Sequence, residues 1–260
     1  MDIDYSIAGF IVGFIVGLTG VGGGSLMTPI LVLFFGIKPV VAVGTDLLFA
    51  AITKSGGVFV HHRRKTIYWR IVGLLCLGSI PATFCAILVL KHLDTTGADY
   101  NHLVTTSLSI ALILTSLVIL FKNPLVSFSR SERMAWIRVV HQRYYKHFTV
   151  LAGALIGTLV TLSSVGAGAL GAAILFFLYP RLPAVSIVGT DIAHAVPITA
   201  ISGLGHLHLG TVDLVLLVSL LIGSLPGIYI GSHIGTLLPD RIMRPALASM
   251  LLVIGLRLAV

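Results

Sequence analysis

The chain has 260 residues, of which 57% are hydrophobic and only 10% charged, with a formal net charge of +8. A soluble domain carries about 25% charged residues, so this composition excludes an ordinary soluble domain and favours a polytopic helical membrane protein. The positive charge does not predict nucleic-acid binding, because the basic residues concentrate in loops that flank apolar segments, where they orient a membrane protein.

The chain begins with an acidic stretch and carries two cysteines. Met1–Tyr5 contains Asp2 and Asp4 and no basic residue, whereas a cleavable signal peptide needs a positive amino-terminal region. Cys76 and Cys85 lie in one apolar segment, about 13 Å apart along a helix axis, which is beyond disulfide reach. We therefore expect no signal peptide and no disulfide.

The apolar sequence divides into five segments in each half of the chain. Those of the first half are Ser6–Gly20, Ser25–Gly36, Pro39–Val60, Tyr68–Leu90 and Leu103–Phe121. Those of the second half are Phe148–Ser164, Ala169–Tyr179, Ala184–Gly203, Thr211–Leu238 and Ile242–Val260. The first two of each half are short, since a helix over Ser25–Gly36 reaches about 18 Å against a hydrocarbon core of about 30 Å. They are interpreted as half-helices that meet at a midplane glycine break.

Three motifs of the first half return in the second. Gly20–Leu26 (GVGGGSL) returns as SVGAGAL, 144 positions later, while VGTD at Val43–Asp46 and GSIP at Gly78–Pro81 return as VGTD and GSLP, 145 positions later. Two halves that each carry a glycine-broken apolar segment are typical of secondary transporters built from internal repeats. This predicts an all-α membrane protein with repeats over 1–121 and 148–260 and a linker over 122–147.

Basic residues predict the orientation of these segments. The linker and the loop His61–Arg70 are rich in lysine and arginine, so both should be cytoplasmic. Gly205–Gly210, the repeat equivalent of that loop, contains neither residue and should face the opposite side, which makes the repeats inverted copies with both termini outside. Within the linker, Met134, Ile137, Val140 and Tyr144 share one helical stripe, so it is either an amphipathic surface helix or a solvated connector.

The glycine breaks are the first candidate binding elements. A helix that begins at a break presents unpaired N–H groups and the positive end of its dipole, which bind anions. Nearby serines add hydroxyl donors. The residues concerned are Gly22, Gly23, Gly24, Ser25, Ser163, Ser164, Gly166 and Gly168. The alternative is that these small residues only permit tight helix packing.

Ionisable residues within apolar segments are the second candidates, because an unpaired charge in a membrane is unfavourable. Thr45–Asp46 and Thr190–Asp191 could bind substrate or protons, or cap helices that resume after a break. Lys54 could contact an anion or pair with Asp191, which we expect at the same depth. His194, on the same face as Asp191, could relay a proton or be a satisfied core histidine.

Other patterns leave alternatives open. His61, His62, His206 and His208 are placed in loops, and the spacing of these histidines is a poor metal motif, so we expect no metal and no cofactor. Gly223, Gly227, Gly231 and Gly235 form one face that permits close helix approach, either within the chain or across a homodimer.

The GVGGGSL break, the VGTD motif, the VHHRRKTIYW loop and the GSIP kink appear in the order of the TauE/SafE family of anion exporters, which the chain resembles. The resemblance covers nearly the whole chain except the linker. It implies a plasma-membrane transporter for sulfite or small organosulfur anions. The sequence departs from the family pattern at Asp46, where many members carry Ser, and at the second break.

The sequence therefore predicts a secondary transporter that exports a small sulfur-containing anion, with or without a proton. An interior-negative potential favours anion exit by about 2.3 kcal/mol per charge per 100 mV. Transport of another small anion, including uptake, and a scaffold or insertase role remain alternatives. An intramembrane enzyme would need a motif such as H-E-x-x-H or G-x-S-x-G, and the sequence contains neither.

Overall fold

The computed structural model describes residues 3–19, 24–95, 100–121, 135–235 and 240–259. Throughout these ranges the secondary structure is helical, with no strand, which confirms the all-α class. The ten helices are α1 Ile3–Thr19, α2 Gly24–Phe35, α3 Pro39–Arg63, α4 Trp69–Thr95, α5 Tyr100–Leu120, α6 Ala135–Ser163, α7 Ala169–Leu178, α8 Ala184–His208, α9 Leu214–Gly235 and α10 Asp240–Ala259.

Helix length and surface chemistry both fit a membrane. Among the described residues, six helical stretches are long and apolar enough to cross one: Pro39–Arg63, Trp69–Leu93, Asn101–Leu120, Tyr144–Ser163, Ala184–His208 and Leu214–Gly231. Large apolar side chains are also exposed on the outer surface, with Phe34 at 74% and Tyr229 at 67%. In water such a surface would be unfavourable, so the chain is a multi-pass integral membrane protein.

Two of the predicted short helices, one in each half, agree with the sequence, and a third does not. The helices α2 and α7 contain 12 and 10 residues, too few to span about 30 Å of hydrocarbon. However, Tyr144–Ser163 is 20 residues long and apolar enough to cross, so the expected half-helix over Phe148–Ser164 is part of a full-length helix. The reason is that the linker helix runs directly into it.

The carboxyl-terminal part of the linker is helical. Within α6, only Tyr144 departs from helical geometry, with φ −119° and ψ 17°. A kink at this position separates the stretch from Ala135 onward, which includes the predicted stripe residues Ile137 and Val140, from the membrane-crossing stretch. The rest of the linker, 122–134, lies outside the described residues.

The placement of four histidines in loops is wrong. His61 and His62 lie in the last turn of α3, and His206 and His208 in that of α8. The helices continue this far because the backbone N–H groups of the following residues still find acceptors within them. The Thr66 N–H donates to the His61 carbonyl at 3.1 Å, and the Thr211 N–H donates to the His206 carbonyl at 3.0 Å.

Two helix pairs, each joining one helix of the first half to one of the second, pack backbone against backbone. In the pair α1·α9, a Cβ at Gly13 would collide with the Ser224 backbone. In the pair α4·α6, a Cβ at Gly157 would collide with the Ser79 backbone. Gly13 and Gly157 are repeat equivalents, as are Ser79 and Ser224, so the two contacts are the same contact with the halves exchanged.

The glycine face of α9 is used within the chain. Side chains at Gly223, Gly227 and Gly231 would collide with α1 carbonyls, at Ser6, Phe10 and Phe14 respectively. For these three glycines, the structure decides between the two alternatives that the sequence left open. Only glycine allows this approach, because any Cβ would occupy the space of a carbonyl group.

The remaining large contacts join equivalent helices. The helix α3 packs against α8, and α5 packs against α10. A two-fold relationship between the halves produces both kinds of contact. The pairs α1·α9 and α4·α6 are related by exchange of the halves, and in α3·α8 and α5·α10 a helix contacts its own repeat equivalent. The halves therefore do not form separate lobes, and residues of both can line one site.

The close approach in the pair α4·α6 predicts a contrast between two glycines of α4. Gly78→Ala should destabilise the protein by about 1–3 kcal/mol, because its Cβ would meet the Val150 carbonyl. Gly73→Ala, where a Cβ meets nothing within 4 Å, should be neutral or slightly stabilising, since alanine is the better helix former. Apparent melting temperatures in detergent test this contrast, and equal values for the two variants would contradict it.

Candidate functional site

The backbone conformation of the second glycine break accounts for which of its glycines are kept. Gly166 and Gly168 adopt φ values of 123° and 145°, which only glycine adopts readily. Ala167, which replaces Gly23 of the first break, and Ala169, which replaces Ser25, have no positive φ. The replacement of glycine by alanine therefore spares the two positions where the backbone requires glycine. Ser164, equivalent to Gly20, is held at φ 57°, a left-handed conformation that is strained for a serine.

The break ends at a helix start that no side chain caps. The residue Gly168 is the N-cap of α7 and makes no side-chain capping hydrogen bond. The Gly171 N–H turns back to the Gly166 carbonyl at 2.8 Å. The amides before it, at Ala169 and Leu170, belong to the first turn, where intrahelical acceptors are lacking. The break thus presents donor groups and the positive end of a helix dipole within a membrane protein.

Lys54 of α3 reaches into this break from the other half of the chain. Its ammonium donates to the Ala167 carbonyl at 2.6 Å. Lys54 is also close enough to Asp46 and Asp191 for the charges to interact. The hydrogen bond of the ammonium goes to the backbone of the break, so the pairing of Lys54 with Asp191 stays a prediction.

Asp191 lies against the start of α7. Its side chain is 2% exposed, and its Oδ1 occupies the space where a Cβ at Gly171 would be. A carboxylate is stabilised at a helix N-terminus by the dipole. However, Oδ1 has no hydrogen-bond partner within the described part of the chain. Asp191 therefore occupies the position at the start of α7 that an external anion would take, and its Oδ1 gains no hydrogen bond there.

Asp46, the repeat equivalent of Asp191, has a different environment. Its Oδ2 accepts a hydrogen bond of 2.6 Å from the buried Thr28 hydroxyl. In the second half, Ala172 stands at the position equivalent to Thr28 and offers no hydroxyl. Ser164 lies beside Asp46, so this carboxylate also reaches the second break. Among the residues that the structure describes, the Asp46 Oδ1 and the Ser164 hydroxyl both lack a hydrogen-bond partner.

His194 completes the cluster from α8. It is fully buried, and its Nε2 lies 3.0 Å from the Ser79 hydroxyl of the GSIP motif. Its other nitrogen, Nδ1, has no hydrogen-bond partner, and its ring is within electrostatic range of Lys54. The buried unpartnered atoms at the break are Asp46 Oδ1, Ser164 Oγ, Asp191 Oδ1 and His194 Nδ1. Buried polar atoms are normally paired, so this group is a candidate ligand site.

Other predicted site residues form hydrogen bonds with the nearby backbone or with the backbone of the other half. The Ser163 hydroxyl is engaged within the break, 2.6 Å from the Leu159 carbonyl. Thr45 accepts a hydrogen bond of 3.1 Å from the Asp213 N–H, and Thr190 accepts one of 3.1 Å from the Tyr68 N–H. These two bonds are repeat equivalents, so each threonine anchors a loop of the opposite half instead of facing the cluster.

The first break is only partly described. Gly22 and Gly23 lie outside the described residues. Gly24 begins α2, Ser25 follows it in the first turn, and the described part of Ser25 is its backbone alone. The binding roles predicted for these four residues remain predictions.

Sequence reasoning missed several residues around the cluster. Thr28 and Ser79 are ordinary polar residues of apolar segments, and only the three-dimensional contacts reveal their partners. His61, Thr66, His206 and Thr211 could have been found, because the offset of 145 pairs them. Each histidine Nδ1 lies within hydrogen-bond distance of its threonine hydroxyl, at 2.8 Å for His61 and 2.9 Å for His206.

Membrane-crossing helices around an uncapped helix start, with a half-buried lysine beside it, define the class of a multi-pass membrane transporter. The model of the family "Sulfite exporter TauE/SafE" matches residues 5–258. The chain belongs to this family.

Curated relatives agree with this class. The chain is 38% identical over 258 residues to the probable membrane transporter protein YjnA of Bacillus subtilis, covering 99% of this chain and 100% of that protein. It is 31% identical over 254 residues to the probable membrane transporter protein YdhB of the same organism, covering 94% and 96%. No solved structure matches the chain.

The strained serine generates a stability prediction. Ser164→Gly should stabilise the protein by about 1 kcal/mol, because it relieves the left-handed strain and removes an unpartnered buried hydroxyl. Ser163→Gly should destabilise it by about 1 kcal/mol or more, since that hydroxyl is hydrogen-bonded. Melting temperatures of the two neighbouring variants in detergent test this, and a lower value for Ser164→Gly than for the parent protein would contradict it.

Proposed function

We propose that this protein is a secondary transporter that exports a small sulfur-containing anion, such as sulfite or an organosulfonate, across the plasma membrane. The observation that carries the proposal is Lys54 inserted into the second glycine break beside the uncapped start of α7. A cation, a helix N-terminus and a free hydroxyl at Ser164 provide complementary donors for a sulfonate or sulfite group.

Protons are a natural partner for the anion at this site. One ammonium faces two carboxylates, Asp46 and Asp191, so the cluster is net negative when both are ionised. An anion entering it would meet repulsion in a medium of low dielectric constant. Protonation of Asp191 would remove one negative charge and free both Lys54 and the start of α7. We therefore propose that anion binding is accompanied by proton uptake.

Export is the direction that the membrane potential favours. An anion with two negative charges that moves with one proton keeps one net negative charge, and an interior-negative potential drives its exit by about 2.3 kcal/mol per 100 mV. The name of the family supports the same direction and a sulfur-containing substrate, while the two named relatives support transport without naming a substrate. Uptake of another small anion is the second candidate, because a carrier that takes up a proton with its anion can also run inward.

A non-transporting scaffold or insertase fits less well. It would not need a half-buried lysine and two buried carboxylates at a helix break, because each such charge lowers stability unless it is used. An enzyme is likewise not favoured, since the relatives are named as transporters. Flux through purified protein separates a transporter from these alternatives.

The proposed mechanism requires halves of opposite orientation. The exchanged contacts Thr45–Asp213 and Thr190–Tyr68 support a two-fold relationship. Basic residues concentrated around Arg64 and in the linker support a cytoplasmic location for both. If the halves are oppositely oriented, equivalent helices can close the site on one face of the membrane or on the other.

Transport is predicted to depend on Lys54. Protein in liposomes should carry sulfite or sulfoacetate in preference to acetate, and a pH gradient should change the rate. Lys54→Met should reduce flux at least tenfold, because the cation at the break is lost. The control Lys38→Met, which removes an exposed lysine at the start of the same helix, should leave flux unchanged. Sulfur anions that fail to cross, or undiminished flux through Lys54→Met, would contradict the proposal.

Orientation is testable with two exposed positions. In a background of Cys76→Ser and Cys85→Ser, a membrane-impermeant maleimide should label Arg64→Cys only from the cytoplasmic side and His208→Cys only from outside. His208 is chosen because the neighbouring His206 is fully buried. Labelling of both from the same side would reject the inverted arrangement.

A further inference from the structure

A second buried polar cluster lies at the His206 end of α8, away from Lys54. It joins three helices: α4 through Thr83, α6 through Thr161, and α8 through Ser202 and His206, and all four residues are 0% exposed. The Thr161 hydroxyl lies 2.8 Å from the Ser202 hydroxyl and 3.2 Å from that of Thr83. The cluster therefore ties the pair α4·α6 to α8.

His206 extends this tie through the backbone. Its Nε2 lies 3.0 Å from the Thr161 carbonyl. Because a carbonyl can only accept, Nε2 carries the proton and donates it. The His206 ring is thereby held beneath the last turns of α6. The next turn of α8 towards Asp191 contains Thr199, which is also fully buried, so this end of the central helices is sealed.

The equivalent end of the other half lacks this tie. At the offsets of 144 for α1 and 145 elsewhere, Thr161, Ser202 and Thr83 correspond to Gly17, Gly57 and Ile228. None of these three side chains can form a hydrogen bond. His61, the equivalent of His206, is partly exposed and keeps the bond to Thr66.

The packing of the helices shows the same asymmetry. The helix α4 packs more extensively against α8 than its equivalent α9 packs against α3. The helix α6 contacts α8, whereas its equivalent α1 makes less contact with α3. One of two equivalent helix pairs is thus docked on the central helices, while the other is docked less closely.

We propose that these two ends are the alternating gates of the transporter, with the gate of Thr83, Thr161, Ser202 and His206 closed and the His61 gate open in this structure. This inference rests on the proposed transport function. In the opposite state the pair α1·α9 docks on α3, His61 donates to the Gly17 carbonyl, and the Thr161 cluster separates. Because only one gate is held by side-chain hydroxyls, the state with the His206 gate closed is the more populated one.

The occupant of the site can then enter from the His61 side. Lys54 lies on α3 between Asp46 and His61, and Gly56 and Gly57 follow it in the same helix. A Cβ at Gly56 would meet nothing within 4 Å, so the helix has free space beside this position. An open gate on the side proposed to be cytoplasmic suits an exporter that loads from the cell interior.

Accessibility of Thr199 tests the gate without any substrate. Thr199→Cys is placed in the background that lacks Cys76 and Cys85, and its hydroxyl donates only within α8, to the Ala195 and Val196 carbonyls. An impermeant maleimide is added from the side that labels His208→Cys. Adding Thr161→Val should raise the labelling rate at least threefold, because its hydroxyl tie to Ser202 and Thr83 is lost.

The matched control is Thr158→Val, which removes an exposed hydroxyl whose bond lies within α6, and it should leave the rate unchanged. Ser202→Ala provides a second opening variant if Thr161→Val fails to fold, as judged by gel filtration. An unchanged rate in the opening variants, or an equal rise in the control, overturns the gate. Because labelling requires no transport, a failed flux assay and a failed gate give distinguishable results.

Discussion

The constraint on which the site depends is that backbone without regular hydrogen bonds is tolerated at membrane depth only where it faces protein or a polar cavity. The second break, from Ser163 to Gly168, is such a stretch. Its Ala167 carbonyl is paired with Lys54, and the start of α7 is approached by Asp191. The charges of the lysine and the carboxylate thus stabilise the exposed backbone groups of the break. These backbone groups in turn lower the cost of placing the two charges in the membrane. Each would be unfavourable alone.

The two halves place unequal chemistry on equivalent positions. Lys54 corresponds to Thr199, Thr28 to Ala172, and His194 to Phe49. One oxygen of Asp46 is therefore held by the Thr28 hydroxyl, whereas the position equivalent to Thr28 beside Asp191 is an alanine, and α3 carries a lysine in its interior where α8 carries a threonine. Duplication supplied a symmetric framework, and substitutions at a few equivalent pairs concentrated the charge at one break. The asymmetry of the gates has the same origin, because Thr161 and Ser202 correspond to glycines.

Sequence patterns predicted the features that depend on local composition or on the repeat. The helical class, the short α2 and α7 and the break at Gly166–Gly168 all follow from hydropathy and glycine spacing. Features that depend on the partner surface were not predictable. The helix ends at His61 and His206 are set by bonds to Thr66 and Thr211, and the use of the Gly223 face required knowing that α1 lies opposite. Likewise, the length of α6 was missed because polar Tyr144–His147 interrupts the apolar pattern without ending the helix.

The exchanged pairs α1·α9 and α4·α6 have a consequence for how the chain is made. The partner of the first helix is the ninth, so its glycine surface at Gly9 and Gly13 stays uncovered until almost the whole polypeptide has been synthesised. Formation of this contact requires closure of a loop of about 200 residues, which is entropically slow. Neither half can mature as an independent folding unit, since each lends one helix to the other. Assembly should therefore be a late, cooperative event, and a truncated first half would expose a surface suited to chaperone or protease recognition.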